Sequence, residues 1–99
     1  MVKHIVLFKL KEPFLRQKKA DIMNRFKTAI EALPATIPFI RDIHVGLNEN
    51  PAEVWDICLD SSFDTLDDVK AYAIHPAHVA AAGILKEAKE NRACVDYTI

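Results

Sequence analysis

Glycine is nearly absent from this chain: Gly46 and Gly83 are the only two. Phosphate-binding loops of the common Gly-rich types need several glycines where backbone closes on a phosphate, so they are excluded. Cysteine is as scarce. Cys58 and Cys94 make no disulfide framework, which points to a reducing cytoplasm with both thiols as small core residues. Net charge is also missing, with 13 Lys+Arg against 14 Asp+Glu. A near-neutral chain has no general field for nucleic acid or an anionic membrane surface. The longest apolar runs, Ile5 to Phe8 and Val79 to Ala82, are too short to span a bilayer, and no signal peptide is expected at the start.

What is present is apolar residue content. Of 99 residues, 51% are hydrophobic and 27% charged, enough for one folded domain over 1–99 and too apolar for disorder. His4 to Leu10 is rich in β-branched and aromatic residues and predicts a strand, stopped by Pro13. A helical spacing runs from about Phe14 to Leu33 through Ala20, Met23, Phe26, Ala29 and Ile30, ending before Pro34 and Pro38. Lys18, Lys19, Arg25 and Lys27 read as its solvated face. Phe39 to Leu47 and Glu53 to Phe63 predict two further strands around the turn Asn48-Glu49-Asn50-Pro51. Asp64 is the expected N-cap of a second helix, with Leu66, Val69, Tyr72 and Ala73 facing inward. Pro76 interrupts it, His75 fits a capping role there, and helix is expected from Ala77 to about Asn91. Ala93 to Ile99 predicts a last strand.

The order is βαββαβ, a ferredoxin-like α+β fold with a four-stranded antiparallel sheet. Two helices cover one face of the sheet. Nothing in the chain covers the other, although Ile5 and Leu7 point there, opposite to Val6 and Phe8. Asp56 falls by alternation on that same face with Val54 and Cys58, where a carboxylate needs a basic partner or the backbone of a second chain. His44 fits its rim. An open apolar sheet exceeds the few hundred Å² that a monomer tolerates, so pairing of two chains face to face is expected.

Tyr72-Ala73-Ile74-His75-Pro76-Ala77-His78 is a distinctive string, flanked at the chain ends by Val2-Lys3-His4-Ile5-Val6 and Val95-Asp96-Tyr97, with the aromatic–acid pair Trp55-Asp56 between. In order and spacing these resemble the Dabb family, the stress-responsive dimeric α/β-barrel proteins. The resemblance implies a homodimer forming an α/β barrel, and a stress-related role. It also brings an analogy with a plant polyketide cyclase, in which the positions of Tyr72, His78 and His4 lie in the pocket and the first two are catalytic. The cyclase has larger or more polar residues where Ala29, Ile57 and Ala81 stand, so the pocket walls differ.

The chemistry of these three residues allows more than one reading. A neutral imidazole at His78 can take a proton from an activated carbon, Tyr72 can hold the developing oxyanion, and His4 can orient either. The same groups can bind a small apolar molecule without chemistry. They can also simply satisfy one another in a structural dimer. The expected pocket is lined or filled by Val6, Phe8, Phe26, Ile30, Ile57, Leu59 and Leu85. No cofactor is implied. A metal is not implied by His75 and His78, because Pro76 disturbs their common helix face and no third ligand is legible.

Overall fold

The computed structural model describes residues 1–12 and 16–99. The elements are β1 (Val2–Leu10), α1 (Arg16–Glu31), β2 (Asp42–Leu47), β3 (Ile57–Phe63), α2 (Leu66–Ile74), α3 (Pro76–Ala82) and β4 (Lys89–Thr98), with short 3₁₀ turns at Leu33–Ala35 and Gly83–Leu85. The sheet is antiparallel in the order β2-β3-β1-β4. This is the expected ferredoxin-like fold. Among the described residues, no helix is long and apolar enough to cross a membrane. The expected helix position Phe14 lies outside the described residues.

Alternation along β1 decides which side is core. His4, Val6, Phe8 and Leu10 are buried under the helices, while Lys3, Ile5, Leu7 and Lys9 are half-buried on the opposite face. From β3, Ile57, Leu59, Ser61 and Phe63 join the helix side. Helix α1 contributes Phe26 and Ile30, which leave almost no exposed surface, and α2 contributes Val69 and Tyr72. Its edge strand is tied down from above. Lys27 and Glu31, one helical turn apart on α1, bond each other, and Val45 N–H donates to Glu31 (2.9 Å) while Lys27 donates to Val45 O (2.6 Å). The outward backbone groups of Val45, in the middle of β2, are thereby occupied rather than offered to another chain.

Several expectations change. β2 and β3 start later than expected, at Asp42 and Ile57, although the backbones of Arg41 and Asp56 still bond the neighbouring strands. Thr65, not Asp64, caps α2: its hydroxyl accepts Asp68 N–H (3.1 Å), while Asp64 pairs with Arg41. Leu66 and Ala73 are exposed, although Ala73 borders a cavity. The helix expected to reach Asn91 ends at Ala82, and β4 begins at Lys89, so the last strand is longer than Ala93 to Ile99. His75 does cap α3, accepting Ala77 N–H on Nδ1 (3.1 Å). Neither cysteine is a core residue: Cys58 is half-buried on the uncovered face opposite Leu7, and Cys94 is exposed on the edge strand β4 opposite Val6.

Asp56 finds the expected basic partner, Lys19, together with a backbone N–H of its own chain rather than of a second one. Its carboxylate turns to its own chain and accepts Leu10 N–H (2.7 Å), with Lys19 Nζ at 3.7 Å. β3 begins opposite Phe8, so Leu10 has no strand partner on that side, and the carboxylate supplies the missing acceptor. A hydrogen bond to a charged group contributes about 1.5–3 kcal/mol. Asp56→Ala is therefore expected to lower unfolding stability by about 2 kcal/mol in urea titration, and Asp56→Asn by less, because an amide oxygen can still accept. Equal stability of Asp56→Ala and the parent would remove this role.

The uncovered face carries Ile5, Leu7, Cys58 and Ala93, half-buried, with Val95 and Tyr97 exposed. Lys3 and Asp60 pair across it (2.5 Å). At one end it opens into a wide groove of about 540 Å³ walled by Leu7, Leu47, Trp55 and Cys58 among others. His44 is exposed beside it.

Candidate functional site

A smaller cavity, about 120 Å³, lies between the helices and the sheet near β4. His4, Val6 and Phe8 from β1, Leu59 from β3 and Phe26 from α1 form its floor and one wall. Tyr72 and Ala73 from α2, His78 and Ala82 from α3, and Leu85 close it. Lys89 and Arg92 of β4 stand at its mouth. The fold therefore brings His4, Tyr72 and His78 to one cavity, with five of the seven apolar residues expected there. Ile30 and Ile57 are not in its wall. Both are core residues all the same, at 0% and 1% exposure.

The helix break arranges the polar groups. In a continuous helix Ala77 N–H would bond Ala73 O. Pro76 restarts the helix, and Ala77 N–H goes to the His75 ring instead. The released Ala73 carbonyl is taken by His78, whose Nδ1–H donates to it (3.0 Å). A carbonyl can only accept, so Nδ1 carries the proton and Nε2 of the neutral ring is left with a lone pair. Burial pushes the His78 pKa below its ordinary value, against the Ala73 bond, and the fields of His4, Arg92 and His75 add to the lowering. The ring is thus held in the form that can accept a proton.

Tyr72 packs against it, ring centres 4.3 Å apart. Phe63 lies behind at 5.1 Å and His4 edge-on at 6.0 Å. Tyr72 is 1% exposed, and its hydroxyl has no hydrogen-bond partner among the described residues. Burial raises its pKa far above the ordinary value, so the hydroxyl stays protonated and acts as a donor. His4 is itself anchored on the facing strand: Nδ1 donates to Asp96 Oδ1 (2.5 Å) as a cross-strand pair. Its ring meets Tyr72, which in turn meets His78.

Asp96, Cys94, Arg92 and Lys89 had no role in the sequence reading. Asp96 belongs to a recognisable end motif, but only the β1–β4 register puts it opposite His4. His4 Nδ1, Cys94 Sγ and an Asp96 oxygen lie within 4.8 Å of one another and could supply three ligands to a divalent ion such as zinc. As arranged, they satisfy each other. Nδ1 is engaged by Asp96, and burial with the nearby Asp96 raises the Cys94 thiol pKa, keeping it in the protonated, weakly ligating form.

The family model for the stress responsive A/B barrel domain matches residues 2–99. The chain belongs to the Dabb family. Dabb relatives differ in what is known of them. Olivetolic acid cyclase from Cannabis sativa is 24% identical over 100 residues, covering 98% of this chain and 95% of the cyclase. A dimeric ferredoxin-like protein of unknown function from Bacteroides fragilis is 63% identical with a TM-score of 0.98, over 99% of this chain and 95% of that one. Hydroxynitrile lyase from Passiflora edulis shares the fold at 19% identity and a TM-score of 0.72, covering 99% of this chain and 92% of the lyase.

Proposed function

We propose that this Dabb protein is a homodimer that binds a small, mainly apolar molecule in the cavity of each chain, with an oxygen of that molecule accepting from Tyr72. The observation that carries this is the Tyr72 hydroxyl, buried at the cavity wall without a partner among the described residues. An unsatisfied buried polar group costs about 1–3 kcal/mol, and a ligand oxygen removes that cost. Support for the dimer comes from the uncovered apolar face and from the similar Bacteroides fragilis protein, which is dimeric.

The test reads two quantities of opposite sign. Tyr72→Phe should stabilise the unliganded protein by about 1 kcal/mol or more in denaturant titration. It should also weaken binding of small ketone and alcohol fragments, followed by ring-proton NMR of His78, by about tenfold. Loss of stability together with unchanged fragment binding would sink the proposal.

A second reading is favoured by the Nδ1–H bond of His78 to Ala73 O. With Nε2 free to accept, His78 serves as general base in a cofactor-independent aldol-type cyclisation or lyase reaction. Nε2 removes a proton from carbon beside a carbonyl, and the electron pair moves onto the carbonyl oxygen. Tyr72 donates a hydrogen bond to that oxygen. The resulting enolate attacks a second carbonyl, whose oxygen takes back the proton held on Nε2; in the lyase direction Nε2 takes the proton of a hydroxyl, the carbon–carbon bond breaks as the carbonyl forms, and the released carbanion takes that proton. His4, fixed by Asp96, holds the Tyr72 ring in place. The cyclase and lyase names of two relatives agree with chemistry in this cavity.

A further inference from the structure

The mouth of the cavity carries charge of one sign. Lys89 and Arg92 line it, and no carboxylate does. Neither cation forms a salt bridge among the described residues. The Arg92 side chain interacts with the Cys94 thiol, not with an acid. The chain as a whole holds 13 basic and 14 acidic residues, so two cations without an acidic partner at one opening do not follow from overall composition.

The backbone produces this arrangement. β4 pairs regularly with β1 down to Arg92 opposite Phe8 and Asn91 opposite Lys9, and then slips, so that Leu10 faces Lys89 and not Glu90. A regular ladder would put Glu90 on the face shared by Arg92, Cys94 and Asp96. The irregularity puts Lys89 there and turns Glu90 to Lys9, with which it pairs. Bulges commonly re-aim a side chain next to a site. Here the slip replaces an acid by a base at the opening.

We propose that the ligand is a small carboxylate: an apolar body against Phe8, Phe26, Leu59 and Leu85, a keto or hydroxyl oxygen at Tyr72, and the acid held by Arg92 and Lys89. This deepens the reading of the cavity as a ligand site and rests on it. A guanidinium matches a carboxylate with two parallel hydrogen bonds. The cavity of about 120 Å³ is below the roughly 300 Å³ at which drug-sized ligands begin, so the body has only a few carbons. Arg92 lines the same cavity as His78, and its charge helps to lower the His78 pKa, in keeping with an anion held beside the polar centre of the site.

The experiment titrates the intact protein with 4-oxopentanoate, its methyl ester and inorganic phosphate, following the ring signals of Tyr72 and His78 by NMR. The acid should bind at least about tenfold more tightly than the ester. That preference should vanish in the Lys89→Gln/Arg92→Gln double variant, whose exposed positions leave unfolding stability unchanged. Equal binding of acid and ester, or a preference retained by the double variant, overturns the carboxylate. So does phosphate competing as well as the acid. Ring signals unmoved by any of the three also overturn it, whereas the ligand-site reading is decided separately by the stability change in Tyr72→Phe.

Discussion

Leu7→Asp is expected to turn the proposed dimer into a monomer sedimenting at the single-chain mass of 11.2 kDa. Leu7 lies on the sheet face the helices leave uncovered, opposite Cys58 and Ala93, and walls the groove that also includes Trp55. A two-fold contact presents the same residue twice, so one substitution inserts two like charges into one interface. An unpaired buried carboxylate costs several kcal/mol, and about 4 kcal/mol already weakens association roughly a thousandfold. Lys3 and Lys9 share the face but are already paired with Asp60 and Glu90, so they are not available to neutralise the new charge. Lys70→Glu, on the exposed side of α2, serves as the control and should remain dimeric. Leu7→Asp sedimenting as a folded dimer would show that the chains do not pair through this face.

That face was legible in the sequence because strand alternation is a local property. Ile5 and Leu7 oppose Val6 and Phe8 whatever the rest of the chain does. The two proline-marked breaks were legible for a similar reason, since Pro34 and Pro76 act on their own neighbours. The cavity was only half legible. Tyr72, His75 and His78 stand in one short string, and the helix break between them follows from Pro76. The residues completing the site come from β4, and their placement depends on the register against β1. Nothing local in Lys89-Glu90-Asn91-Arg92 says that Lys89 replaces Glu90 at the mouth, because that depends on a slip visible only in the paired strands. Apolar character also did not separate the cavity wall from the deep core. Ile30 and Ile57 are as hydrophobic as Leu59 and Leu85, and only their position in the packed layers differs.

Loss of the His78 ring should have the largest effect on chemistry, if a β-keto thioester screen yields turnover. A positioned general base contributes about 10²–10⁴-fold, so His78→Ala should lower kcat/KM by that range. Turnover equal to the parent would eliminate His78 as the base. The pH profile separates a base from a packing residue. Burial lowers the His78 pKa, so the neutral ring persists below pH 6.5, and the acid limb of kcat/KM should turn down at a pH below that ordinary value. The same shift acts on folding. Because the unfolded chain binds the proton more readily than the native state, the stability tied to the neutral ring is complete above pH 6.5 and is lost as pH falls through the lowered value. His78→Ala should flatten that part of the stability curve in urea titrations between pH 7 and 5. Tyr72→Phe should leave it in place while lowering turnover, because that variant keeps the base and removes only the hydrogen bond to the enolate oxygen. A parallel loss of acid sensitivity in both variants would mean that the two rings act as one packing unit and not as base and donor.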